Sequence, residues 1–180
     1  ILGPLHRGYT GDIYTFGTRA ERCFDEHWKA RGEIAGQFGE KNGRDLCALG
    51  ANSRLTYAFK DPRDNQLWWD FEFLSGDNPN TKGKDEGFDI LWGRWPQWSE
   101  IYAVTQALEG GRPAQYTNLY RTGPGWSFKP TDKTELALKY QLLFAQHNPF
   151  AGAAGFSDDG NFRGQLGAAR FSYVFNKHIS

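Results

Sequence analysis

Six or seven segments of this chain alternate polar and apolar residues for ten or so positions, and the clearest runs from Trp28 to Phe38. Trp28, Ala30, Gly32, Ile34, Gly36 and Phe38 fall on one side, and Lys29, Arg31, Glu33, Ala35 and Gln37 on the other. A side-chain period of two is the signature of a β-strand. Ordinary strands run about five or six residues. Strands of about ten residues, apolar on one face and charged on the other, are what a transmembrane β-barrel requires.

Alternation predicts strands over Gly11 to Glu21, Trp28 to Phe38, Leu46 to Phe59, Gln66 to Ser75, Tyr116 to Lys129 (bent at Gly123-Pro124-Gly125), Thr134 to Gln146 and Phe162 to Phe175. The last has muddied parity at Gly164 to Ala169, where a β-bulge is expected. The connections then run short (22–26), medium (39–45), short (61–65), long (76–115), short (130–133) and long (147–161). Outer-membrane barrels sort their connections in this way, with short turns at one end and longer loops at the other. A soluble sandwich has no reason to do so. The long segment 76–115 is too long for a simple connection and holds Trp92, Trp95 and Trp98; Ser99 to Leu108 is read as a short helix or strand within it.

Composition is compatible with this reading. Aromatic residues make up 16% of the chain and glycine supplies 22 of its 180 residues, yet mean hydropathy is −0.67 and no apolar run approaches the roughly 18 residues of a membrane helix. Lys plus Arg balance Asp plus Glu at 21 each, so no global field draws in nucleic acid. Cys23 and Cys47 fall near opposite ends of the strand layout, farther apart than the roughly 7 Å a disulfide spans, and two free thiols are expected. The chain opens Ile1-Leu2-Gly3-Pro4 without Met or a signal-peptide pattern. It reads as a processed product or as part of a longer chain.

Phe73-Leu74-Ser75-Gly76-Asp77, Asp85-Glu86-Gly87-Phe88-Asp89 and Leu91-Trp92-Gly93-Arg94-Trp95-Pro96-Gln97-Trp98 together resemble the alginate-export family of outer-membrane β-barrels. Thr117-Asn118-Leu119-Tyr120-Arg121 leading to Gly125-Trp126-Ser127-Phe128-Lys129-Pro130 adds to the resemblance, which covers roughly residues 60 to 145. It implies that residues 1–180 are part of a single barrel of about 18 strands, its C-terminal portion. That barrel would lie in the bacterial outer membrane, against outer-membrane lipid and any assembly partners there or in the periplasm. Its lumen passes polysaccharide or small polar and anionic solutes. Loop 76–115, with Trp92, Arg94, Trp95 and Trp98, is then the candidate constriction or plug. Members of the family line the pore with Arg and Lys. Here the lumen face is mixed: Arg19, Lys29, Arg31, Arg54, Arg121 and Lys139 stand beside Glu21, Glu33, Asp70, Glu72 and Glu135.

Each of these groups has a plainer reading. Neighbouring Arg and Glu pair across strands to fill a wall, while in a wet lumen the same side chains tune selectivity. Trp28, Phe38, Tyr57, Phe59, Trp69, Phe71, Trp126, Phe128, Tyr140, Phe144, Tyr173 and Phe175 are spread over the strands, many near strand ends, as in interfacial girdles; a sandwich core would hold them mid-strand. Asp70 and Glu72, two apart on one strand, resemble the acidic pair of a jelly-roll glycoside hydrolase, which with a soluble carbohydrate-binding module is the alternative to a channel. The expected reading is not an enzyme and requires no cofactor. Asp77, Asn78, Asn80, Asp85, Glu86 and Asp89 offer oxygen ligands of the kind calcium takes, but Pro79 and Thr81 break the EF-hand spacing and a solvated polar loop is the expectation. His6, His27, His147 and His178 are too scattered for a zinc motif, so no metal is expected.

Overall fold

A computed structural model describes residues 10–90, 117–154 and 159–175. All regular elements in them are strands: β1 (Ile13–Cys23), β2 (Trp28–Lys41), β3 (Arg44–Ala58), β4 (Gln66–Leu74), a two-residue β5 (Lys84–Asp85), β6 (Leu119–Thr131), β7 (Thr134–Phe144) and β8 (Phe162–Tyr173). The long strands form one sheet in the order β1-β2-β3-β4-β6-β7-β8. Each long strand lies antiparallel to the next, so the chain runs up and down across the sheet. β5 pairs parallel to the start of β3, at Asp45 and Leu46. Among the described residues β1 and β8 are edges, each paired on one side only.

Register carries the sequence alternation intact from strand to strand. Tyr14, Phe38 and Cys47 lie side by side, as do Trp28, Tyr57, Leu67, Trp126 and Leu138. On this face no strand residue is charged between Arg22 at one rim and Glu40 and Asp45 at the other. Among the described residues nothing packs over it: Phe16 is 66% exposed, Trp69 53% and Phe171 67%. A sandwich would seal these side chains between two sheets, and here there is one sheet.

The aromatic side chains gather in two belts on the same face. At one rim Trp28 meets Tyr57, Tyr57 meets Phe59, Trp126 stacks on Phe128 and Tyr173 meets Phe175, with ring centroids 4.6–5.1 Å apart. Toward the other rim Phe16 stacks on Phe38, and Phe71, Tyr120, Phe144 and Phe162 form a chain of ring contacts at 5.3–5.7 Å. Ten residues separate Trp28 from Phe38, about 33 Å along a strand. At a barrel tilt of about 40° that is a height of about 25 Å, the apolar band of an outer-membrane wall.

The first rim carries only tight connections. Asp25 Oδ1 accepts the N–H groups of His27 (2.8 Å) and Trp28 (2.6 Å), and Asp61 accepts those of Arg63 and Asn65. Asp132-Lys133 links β6 to β7. The second rim differs from the sequence expectation in one place. The connection read as 39–45 is only Asn42-Gly43, both with positive φ (56° and 75°). This is an Asn-Gly pair of the kind that closes a two-residue hairpin, so β2 and β3 extend farther than the polar composition of 39–45 suggested. The bulge expected at Gly164 to Ala169 is not there, since those residues pair in unbroken register; it falls just before them, where Arg163 is the extra residue between Phe162 opposite Phe144 and Gly164 opposite Leu143. β6 stays continuous through Gly123-Pro124-Gly125. Cys23 and Cys47, near opposite rims, are free and exposed.

Replacing Gly43 with Val forces a β-branched residue into a left-handed conformation that costs roughly 1–2 kcal/mol. Gly43→Val is therefore expected to lower the urea midpoint of the folded form, read by heat-modifiable gel migration. A second expectation concerns pH. The N–H groups of Trp28 and then His27 hold the Asp25 carboxyl below the usual carboxylate range. A depressed carboxyl contributes stability that is complete above the ordinary carboxylate value and lost as pH falls through the lowered one. The stability gap between the native protein and Asp25→Ala should therefore close in strong acid; a gap that stays constant from neutral to acidic pH would contradict it.

Candidate functional site

The opposite face of the sheet carries the charge. Arg19, Glu33, Asn52, Glu72 and Arg121 form one row across β1, β2, β3, β4 and β6. Glu21, Arg31, Arg54 and Asp70 form the next, and Lys29, Thr56, Trp68, Gly125 and Lys139 a third. All nine residues singled out as lumen-lining, Arg19, Lys29, Arg31, Glu33, Arg54, Asp70, Glu72, Arg121 and Lys139, thus share one face.

Most of these charges are neutralised locally. Lys29 Nζ lies 2.7 Å from Glu21. Arg54 donates two hydrogen bonds to Asp70, at 2.6 and 3.0 Å, in the forked geometry that suits guanidinium and carboxylate. Arg121 donates to Glu72 at 2.8 Å and to Gln141 at 2.7 Å, and lies 4.0 Å from Asp70. Asp70 and Arg121 are buried in this network. At the outer end of β7, Arg170 meets Glu135 at 2.8 Å in an exposed pair. Arg19, Arg31 and Lys139 make no ion pair among the described residues, nor does Glu33, which accepts from Asn52 at 3.4 Å, so three cations against one anion leave the face a positive excess.

Trp68 sits within this face. Its indole N–H donates to Asp70 (3.2 Å) and the Arg54 guanidinium lies 5.1 Å from its ring centroid. The ring lies across Gly125, where an added Cβ would fall 2.2 Å from it. The glycine is what lets the indole lie against the wall.

Near the second rim the charged face gives way to an apolar seat. Leu74, Leu119 and Leu143 are buried there, with Leu166 beside them. These residues occupy the same parity as the charges, which alternation alone had not distinguished. Phe88 and Ile90 pack onto the seat; burying side chains of this size contributes roughly 1.5–3 kcal/mol each. The chain leaving β4 therefore folds back over the charged face. Its turning point is Ser75, whose N–H donates to the Leu49 carbonyl (2.9 Å) and whose hydroxyl accepts from the Leu49 N–H (2.9 Å) and donates to the Glu86 carbonyl (2.6 Å). The Ser75 carbonyl accepts from Phe88, Asn118 and the Thr117 hydroxyl. Gly76 faces Asn118 so closely that a Cβ would lie 2.3 Å from its side-chain oxygen. Asp77 takes two hydrogen bonds from Arg44, both 2.9 Å.

These contacts also account for the acidic residues considered as calcium ligands. Asp77 is engaged by Arg44. Asp85 and Asp89 lie 3.6 and 3.2 Å from Lys41. Glu86 accepts from the Thr81 hydroxyl and the Asn78 N–H. Among the described residues no cluster of His, Cys, Asp and Glu has the arrangement of a metal site. Likewise Asp70 and Glu72, the pair weighed as hydrolytic, are each engaged by an arginine. Trp92, Arg94, Trp95, Trp98 and the element read at Ser99 to Leu108 lie outside the described residues.

The family model for alginate export matches residues 4–180. The chain belongs to the alginate-export family. It is thereby a member of a family of β-barrel transport channels of the outer membrane, and its role is in export across a membrane. No curated protein matches the chain. In this family member, the Ser-Gly-Asp and Gly-Phe-Asp segments have a structural meaning: they turn the chain at the rim and press it onto the inner face.

Removing one partner of a buried charge network costs about 3–5 kcal/mol, because the others are left uncompensated, whereas an exposed pair contributes about 0–1 kcal/mol. Asp70→Ala is therefore expected to destabilise the folded protein by several kcal/mol in urea titrations, and Glu135→Ala by less than about 1 kcal/mol.

Proposed function

We propose that the sheet is a section of the wall of a bacterial outer-membrane channel, with the apolar face against lipid and the charged face lining a hydrated lumen through which solutes move passively. The observation that carries this reading is the one-sided distribution of charge: between the rims, the ionic residues of the strands project from one face and the aromatic belts from the other. Water solvates the first face and hydrocarbon the second, and no soluble arrangement satisfies both. The edges β1 and β8 pair with further strands that close the barrel, since an open edge in hydrocarbon leaves backbone groups unsatisfied. The tight-turn rim faces the periplasm and the loop rim the exterior.

Arg19, Arg31 and Lys139 set a modest preference for anions, and polysaccharide or small anionic and polar solutes are the cargo this supports. The extensive Arg–carboxylate pairing argues against a lumen wholly given over to a polyanion. Glycoside hydrolysis is the rival reading. It requires Asp70 and Glu72 as acid and nucleophile, and the salt bridges to Arg54 and Arg121 oppose it.

The test is reconstitution in planar bilayers. Replacing Arg19 and Arg31 with Glu should move the reversal potential in a salt gradient toward cation selectivity; an unchanged potential removes these residues from the pore. Polysaccharide cleavage that is lost in Glu72→Gln would replace the channel reading with the enzymatic one.

A further inference from the structure

We infer that the segment from Lys84 to Ile90 is a fixed strut on the lumen wall and not a moving gate, and that Gln37 and Lys41 are the positioning residues that hold it there. The inference rests on the channel reading only for its functional meaning; the strut itself is a statement about local structure.

Gln37 carries the argument. It belongs to the charged face of β2, is 2% exposed, and reaches no other strand's charge. Its Nε2 donates to the Thr15 hydroxyl on β1 (3.2 Å), and the amide closes on the backbone of one loop residue from both sides. The Nε2 group donates to the Asp89 carbonyl at 2.6 Å and Oε1 accepts the Asp89 N–H at 2.7 Å. A primary amide can satisfy a peptide's donor and acceptor together, so Gln37 acts as the ladder rung a neighbouring strand would supply. Four residues on, Lys41 faces Asp89 and Asp85 from within the same buried contact. Two carboxylates from the segment and one ammonium from the wall fix the direction in which it crosses the face.

Each flank of this clamp is tied separately. Before it, the Asp45 N–H donates to the Gly83 carbonyl (2.9 Å), β5 pairs with β3, and Arg44 donates to the Lys84 carbonyl. Beside it, Phe88 donates its N–H to Ser75 (3.0 Å) and lays its ring over Gly50, where a Cβ would stand 2.8 Å from the ring. Ile90 ends the segment on the leucine seat. A gate needs an alternative position of similar free energy. Leaving this one would expose a buried glutamine amide, a buried lysine and a leucine patch at once. The lumen width at this level is therefore built in, and Gln37 determines it through the loop without having to touch the solute.

The experiment is hydrogen exchange on the intact protein folded in detergent, paired with single-channel recording. The Asp89 amide should be protected at least tenfold over an unstructured peptide in the native protein. Gln37→Ala should abolish that protection while strand amides of β2 and β3 stay protected, and Gln37→Glu, which keeps the acceptor for the Asp89 N–H, should retain part of it. In bilayers the native channel should show one steady conductance level, and Gln37→Ala and Lys41→Met should add current noise or a larger level. An Asp89 amide that exchanges freely in the native protein, or native channels that switch between levels with Gln37→Ala switching no more often, would overturn the strut. Should no variant conduct while the Asp89 protection pattern holds, the channel reading fails and the strut stands.

Discussion

Backbone polarity in hydrocarbon is the constraint from which the rest of this molecule follows. A peptide group surrounded by lipid tails has no water to bond, so each strand must find both its partners sideways in the sheet. Once that ladder is in place, side chains have two destinations. The period of two sends them there alternately, and register preserves the sorting across seven strands. The long, uninterrupted antiparallel pairing of β2 with β3, fourteen residues against fifteen, keeps Lys29, Arg31 and Glu33 on one side while Trp28, Ile34 and Phe38 stay on the other.

The inner face is not a uniform polar lining. Toward the tight-turn rim and the middle it is a network of arginine–carboxylate contacts, with Asp70 at the centre between Arg54, which forks onto it, and Arg121. Toward the loop rim it becomes a leucine surface that receives Phe88 and Ile90. The two regions have different physics. The charge network satisfies its buried members Asp70 and Arg121 by forming ion pairs and hydrogen bonds, while a leucine seat exists to be covered. Their proximity on the same strands sets a packed fixture directly beside the charged rows.

Strand positions, facing and the sorting of aromatic side chains to the rims were legible in the sequence, because each is a local regularity with a fixed period. What escaped was non-local or lay inside the period. Gln37 follows Lys29, Arg31 and Glu33 on the same face of β2 and reads as another polar residue of that face; its partner Asp89 is 52 positions away, and no periodicity announces such a pair. Leu74, Leu119 and Leu143 occupy polar parity on three strands, a departure visible only when the strands are laid in register. The Asn42-Gly43 turn was readable, but the polar residues on either side of it, Glu40, Lys41, Arg44 and Asp45, blurred its limits. β5 is two residues long and owes its existence to β3 extending past the end of β4.

The indole of Trp68 lies flat because position 125 lacks a methyl group. Ring placement and charge on this face are consequently set by different residues: exchanging a single glycine would tilt an entire ring away from the sheet while leaving all guanidinium and carboxylate groups in the sequence. The relief of this face can thus be reshaped through neutral residues alone, and its charge through a separate set of substitutions.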